Sequence, residues 1–203
     1  MGYILVIIAA YLIGSSNMAL YLSKLRHVDD RAGGSGNLGA SNATLLMGWW
    51  AGILVAVHDI GKSALAVILA RLVFPELAHI GAVAGVASVL GHIFPFYLGF
   101  RGGKGFASYL GMTLALNWKF ALVIMALVVV VTLVTDYIVM GTTLTVLSAP
   151  VYLGFAAHSL VLALILCIAT AVIVYKHRRN YVNIWKGTEI GLRSAAKGEH
   201  RVK

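Results

Sequence analysis

Residues 106–135 read FASYLGMTLALNWKFALVIMALVVVVTLVT, and Lys119 is the one charged side chain among them. The run is apolar on both sides of Asn117-Trp118-Lys119, which predicts a short helix, a turn and a fuller helix. Continuous apolarity over such a length leaves no face for water, so the solvent these helices expect is lipid. Asp136 closes the pair.

The same pattern extends in both directions. Upstream, a first span runs from about Tyr3 to Ser23, and a polar, glycine-rich segment from Lys24 to about Asn42 follows it. An apolar stretch from about Thr44 to Phe74 is interrupted by His58-Asp59-Ile60-Gly61-Lys62 and ended by Pro75 and Glu76. Ala78 to about Phe96 forms the next span, before a second glycine-rich break at 99–105. Downstream lie two more spans, about Tyr137 to Phe155 and Ser159 to Tyr175, and a basic tail. The expected fold is an all-α integral membrane protein, a seven-helix transmembrane bundle. Unbroken apolar runs exclude the alternating pattern of an outer-membrane barrel.

Composition agrees. The 203 residues include only 16 basic and 7 acidic side chains, 11% of the chain, against 60% hydrophobic residues and a mean hydropathy of +0.90. A soluble domain of this size could not bury so much apolar surface. The net charge of +9 marks cytoplasmic loops and anionic headgroups rather than nucleic acid. From Lys176 onward, eight basic residues stand against two acidic ones, supplying +6 of that +9. The positive-inside rule then places Lys24, Arg26, Arg31, Arg101, Lys104 and the tail in the cytoplasm, with the N-terminus outside. The expected organisation is a membrane domain over residues 1–175, with cytoplasmic loops 24–43 and 99–105, and a basic cytoplasmic tail with an interfacial helix over 176–203. The first run lacks a basic leader and a cleavage site, so it reads as a retained span. A single cysteine, Cys167, excludes an internal disulfide and a cysteine zinc cluster.

This topology brings three polar segments to one membrane face. Gly33-Gly34-Ser35-Gly36-Asn37-Leu38-Gly39-Ala40-Ser41-Asn42 interleaves four glycines with serines and asparagines, a loop able to cradle an anion with backbone N–H groups; a plain linker is its other reading. Phe100-Arg101-Gly102-Gly103-Lys104-Gly105 opens a helix, so glycine backbone, an ammonium and a helix N-terminus converge as a phosphate site requires. A positive-inside turn explains that loop equally when it is taken alone. In the third segment, a last span continued as a helix would place His177, Asn180 and Ile184 near one face. Asp59 and Lys62, spaced i, i+3 in an apolar stretch, read as a structural ion pair. No cluster has metal-ligand spacing, and no cofactor is expected.

These segments resemble the three motifs of the bacterial acyl-phosphate:glycerol-3-phosphate acyltransferases, the PlsY family. Ser35 to Asn42 resembles the first motif, and Gly91-His92-Ile93-Phe94-Pro95 through Gly105 the second. His177, Asn180, Gly187, Thr188 and Glu189 resemble the third. The likeness covers nearly the whole chain and implies a membrane acyltransferase of phospholipid biosynthesis in the bacterial inner membrane, with its active site facing the cytoplasm. It would move a fatty acyl group from acyl phosphate to the 1-hydroxyl of glycerol 3-phosphate, giving lysophosphatidate, as a monomer. The resemblance makes Ser35, His177 and Asn180 catalytic. It makes Gly36, Asn37, Asn42, Gly102, Gly103, Lys104 and Gly105 substrate-binding, and Glu189 structural. Two family arginines are replaced, by Leu45 and Asn183. Those replacements leave open a divergent paralogue with another acceptor, or a non-catalytic lipid- or partner-binding membrane protein.

Overall fold

A computed structural model of the chain describes residues 1–28, 33 and 36–196. The described residues are helical, with no strand among them, and fall into two units, Met1–Asn117 and Trp118–Lys203.

The first unit contains α1 (Gly2–Ser15), α2 (Met18–Arg26), α3 (Ala40–Met47), α4 (Trp49–Val73), α5 (Ile80–Ile93) and α6 (Phe106–Leu116). The most buried of these, α5, packs against α1, α4 and α6. Its sequence, IGAVAGVASVLGHI, shows why: helices in lipid associate by close van der Waals contact, which small residues permit. A Cβ added at Gly14 would run into the Ser88 backbone, and one at Gly91 into the Tyr11 backbone. Tyrosine hydroxyls then lace the two helices together. Tyr11 donates to Phe94 O at 2.6 Å and Tyr97 to Ser15 O at 2.7 Å, each satisfying a carbonyl freed at a helix end. Gly91→Leu is therefore expected to lower the thermal unfolding midpoint in detergent well below that of Gly61→Leu, because no atom lies within 4 Å of the Gly61 Cβ position. Equal midpoints would refute the main-chain contact.

Two expectations are refined. The span expected as one helix over Tyr3–Ser23 breaks at Ser16-Asn17, where the Asn17 side chain accepts from Leu20 N at 2.9 Å and starts α2. Conversely, α4 runs straight through His58–Lys62, because residues one turn apart can neutralise each other without breaking the helix. That helix begins at Trp49, and Thr44 belongs to α3.

The second unit contains α7 (Trp118–Thr135), α8 (Ile138–Ala156), α9 (Leu160–Lys176), α10 (Arg178–Trp185) and α11 (Leu192–Ala196). Here α8 packs against both α7 and α9. Pro150 lies inside α8 and cannot donate to Val146 O; Thr170 of α9 gives that carbonyl its hydroxyl at 2.7 Å instead. This unit's helices carry exposed apolar side chains, with Val134, Val151 and Phe155 each over 70% exposed, the surface a protein presents to lipid.

Among the described residues, five segments are long and apolar enough to cross a membrane: Gly2–Arg26, Trp49–Val73, Ile80–Leu98, Trp118–Thr135 and Ile138–Ala156. The α9–α10 pair qualifies as a sixth if counted together, although it bends by 45°, and α6 is a shorter apolar helix.

Candidate active site

In the first unit the two glycine-rich segments meet. Gly36, at φ +65°, turns the chain back toward Gly33 by a 3.1 Å N–H to carbonyl bond, and Gly39 starts α3. Asn42, fully buried on α3, reaches Gly33 O from Nδ2 at 3.5 Å. The second loop folds over the end of α5, with Gly102 N donating to Ile93 O at 3.0 Å and Gly103 N to His92 O at 3.2 Å. A Cβ at Gly103 would lie 2.9 Å from Leu38 O and would overlap the His92 ring at its Nε2 edge. Gly103 therefore joins both loops to α5. Half-buried Lys104 follows, and Gly105 at φ +93° caps the start of α6, so unpaired helix N–H groups begin beside the ammonium-bearing residue. Ser108, in the first turn of α6, is buried with its hydroxyl unpartnered. Ser35 lies outside the described residues, as does Arg31. Asn37 is half-buried between the two turns of the first loop, and Leu45 is half-buried on α3.

Behind this loop pair lies a buried polar cluster. Lys62 Nζ donates to Asp59 Oδ1 at 2.7 Å, to Ser16 O at 2.7 Å and to His92 Nδ1 at 2.9 Å. The break in the first span frees the Ser16 carbonyl, and the lysine supplies its hydrogen bond. His58 Nδ1 and His92 Nδ1 each lie 3.4 Å from Asp59 Oδ1, and His58 Nε2 lies 3.0 Å from Ser16 Oγ. Asp59, Lys62 and His92 are all under 7% exposed.

The second unit holds the third segment. The last span does not continue straight: the chain bends at buried His177, whose Nδ1 lies 2.8 Å from Ile173 O. A carbonyl only accepts, so Nδ1 carries hydrogen there, and in the neutral ring Nε2 is the acceptor nitrogen. Asn180 donates from Nδ2 to Glu189 Oε1 at 2.5 Å. Glu189 is held by a turn in which Thr188 N and Glu189 N both donate to Asn183 O, at 2.8 and 3.2 Å, after Gly187 at φ +68°. Asn183 thus shapes the turn through its main chain, which any residue there would provide. Tyr181 OH meets Thr143 Oγ1 at 2.8 Å, tying α10 to α8. Asp136 receives Leu192 N on its carbonyl at 2.8 Å and Arg193 N on Oδ1 at 2.9 Å, anchoring the segment beyond Glu189.

The sequence patterns assign no role to Asp136, and none to His92 beyond its place in the second motif. The available signals were the position of His92 between the buried lysine's reach and the glycine loop, and the polar break that Asp136 makes between α7 and α8; neither tells from sequence which side chain comes near. Among the described residues, no group of three or more His, Cys, Asp or Glu could hold a metal ion.

A family model described as "Glycerol-3-phosphate acyltransferase" matches residues 4–187. A glycerol-3-phosphate acyltransferase of Coxiella burnetii (strain CbuG_Q212) is 37% identical over 190 residues, covering 93% of this chain and 97% of the relative. One from Clostridioides difficile (strain 630) is 34% identical over 195 residues, covering 93% and 94%. Among solved structures, the glycerol 3-phosphate form of PlsY (YgiH), an integral membrane glycerol 3-phosphate acyltransferase, superposes with a TM-score of 0.90 at 31% identity, covering 97% of this chain and 98% of that one. The lysophosphatidic acid form of PlsY superposes with a TM-score of 0.85, also at 31% identity, covering 94% and 95%.

Proposed function

The chain belongs to the glycerol-3-phosphate acyltransferase family, and from that premise we propose that it acylates the 1-hydroxyl of glycerol 3-phosphate with an acyl phosphate, yielding lysophosphatidate for phospholipid synthesis. It is a multi-pass membrane protein. The observation that carries the reaction is the Gly102-Gly103-Lys104-Gly105 loop at the N-terminus of α6. The positive end of α6 and the ammonium-bearing Lys104 come together there on a glycine backbone that carries no side chains to bar a ligand, which suits a phosphate dianion.

Acyl phosphate is a mixed anhydride, so the protein chiefly has to hold two phosphates and a hydroxyl together against their repulsion. The glycerol oxygen forms the ester bond to the acyl carbon as the acyl carbon–oxygen bond to phosphorus breaks, and the hydroxyl proton leaves with inorganic phosphate. Gly36, Asn37, Asn42, Gly102, Gly103, Lys104 and Gly105 bind substrate in this reading. Ser35 and Asn180 orient the reacting groups, and His177, with hydrogen on Nδ1, offers Nε2 to the hydroxyl. Glu189, Asp59 and Lys62 serve structure: the first holds the Asn180 amide and the other two neutralise each other.

The same reading assigns seven spans, with α6 as the short one, the N-terminus outside, and the loops and basic tail in the cytoplasm. The domain division at residue 175, the inner-membrane location and a monomeric state belong to it as well. In lipid, the purified protein is expected to release phosphate from acyl phosphate only when glycerol 3-phosphate is added, and Ser35→Ala or His177→Ala to slow release roughly 100-fold or more. No release across a panel of hydroxyl acceptors would overturn the reading. Release with a different acceptor would replace glycerol 3-phosphate and retain acyl transfer.

A further inference from the structure

We infer that His92 is a positioning residue for the phosphate loop: Lys62 fixes its tautomer from behind, so that an Nε2–H is presented toward Gly103. This deepens the proposed function and rests on it, because the loop has work to do only if a phosphate is held there.

An alkylammonium has three donors and no acceptor, and Lys62 spends them on Asp59 Oδ1, Ser16 O and His92 Nδ1 at 2.7, 2.7 and 2.9 Å. Paired with Asp59 as an ammonium at 2.7 Å, Lys62 has no lone pair to offer a ring nitrogen. His92 Nδ1 must then accept. Donation from Nδ1 to Asp59 instead would use the longer 3.4 Å contact and would aim a hydrogen at a cation only 2.9 Å away. The neutral ring therefore carries its hydrogen on Nε2.

That nitrogen borders the glycine loop. The Nε2 edge of His92 occupies the space a Gly103 side chain would need, while Leu38 O of the first loop lies 2.9 Å from the same point. The His92 carbonyl meanwhile accepts from Gly103 N. One buried residue thus holds the loop by its main chain and offers it a ring donor, 3% exposed and screened from solvent. A fixed donor in a dry setting needs no reorganisation when charge arrives. The chain of restraints runs from the break at Ser16 through Lys62 and His92 to Gly103, with Asp59 as its counter-charge.

Two amide replacements separate the ring's two nitrogens. In His92→Asn the amide sits near the Nδ1 position, keeping an acceptor for Lys62 but losing the donor beside Gly103. In His92→Gln the longer side chain places an amide near Nε2. Steady-state kinetics in lipid with glycerol 3-phosphate and acyl phosphate varied in turn are expected to show KM for a phosphate substrate raised about tenfold in His92→Asn. His92→Gln should stay within about threefold of the unaltered protein, and the substrate whose KM moves identifies the phosphate served. Equal KM values in both variants, or a larger rise in His92→Gln, overturn the inference, since a merely structural loss lowers the active fraction and kcat without separating them. Independently of any variant's folding, ring 15N NMR of the unaltered protein should show His92 as the Nε2–H tautomer, and an Nδ1–H tautomer overturns the inference outright. Absence of transfer in the unaltered protein would count against the proposed reaction and leave that tautomer measurable.

Discussion

Gly103→Ala is expected to cut acyl transfer by roughly 100-fold or more while the protein still folds. A single methyl would overlap the Nε2 edge of His92 and stand 2.9 Å from Leu38 O, closer than a Cβ tolerates. Neither neighbour yields easily. Leu38 is buried and its carbonyl is main chain, while the His92 ring is pinned through Lys62 to Asp59 and Ser16. The loop is the part that must move, and displacing Lys104 and the start of α6 by about 1 Å from a phosphate costs rate on the order of 100-fold. Stability should fall by only about 1–3 kcal/mol, the usual penalty for overpacking. Gly48→Ala is the control, because Gly48 sits at φ +87° with open space around it and pays a similar strain in backbone alone. Both variants should show comparable losses in thermal midpoint, with transfer retained per folded molecule only in Gly48→Ala. Equal specific activities would show that the close approach at Gly103 does not position the loop.

The membrane character of the fold was legible because it depends on composition: residues 106–135 state it alone, and the segments at 49–73, 80–98 and 138–156 repeat it. Helix ends were less legible. The Ser16-Asn17 break follows from an asparagine cap and from a lysine forty-six residues away that satisfies the freed carbonyl, and a local apolar window detects neither. Pro150 shows the opposite case, a helix breaker in a continuous helix, where Thr170 of the next helix donates to the Val146 carbonyl that the proline leaves without its N–H. The candidate site divides in the same way. Glycine density and helix-start chemistry marked 102–105 without any knowledge of neighbours, and the i, i+3 spacing of Asp59 and Lys62 announced their pairing. His92 could not be ranked from sequence, since its meaning lies in being shared by the ion pair on one side and Gly103 on the other, which only the packing of α4, α5 and the loop decides. The bend at His177 was hidden because nothing in Lys176-His177-Arg178 forbids a straight helix.

Asp59→Asn should be the most destabilising single change in the first unit's polar cluster, lowering unfolding free energy by about 3–5 kcal/mol. Asp59 is 2% exposed and is, among the described residues, the one anion in contact with Lys62, itself 6% exposed, so the substitution leaves an ammonium buried without a counter-charge. Lys62→Met should cost less. It leaves the Asp59 carboxylate beside the ring nitrogens of His58 and His92, both at 3.4 Å, and either imidazole can turn a ring N–H toward it. No comparable substitute exists for the ammonium in the reverse case, since the Ser16 carbonyl and the His92 nitrogen offer partial charges only. The double variant Asp59→Leu with Lys62→Met removes both charges and should recover much of the stability lost in Asp59→Asn, because a matched buried pair is worth little over apolar side chains of similar size. Its transfer activity should nevertheless stay low. Without Lys62 the Nδ1 of His92 loses the donor that fixed its hydrogen on the far nitrogen, so the ring is free to present a lone pair where Gly103 met an N–H. Denaturation in detergent measures the first effect and phosphate release in lipid the second. A double variant that regains stability and activity together would mean that the ion pair serves only the fold, whereas regained stability with lost activity separates holding the helices from aiming the loop.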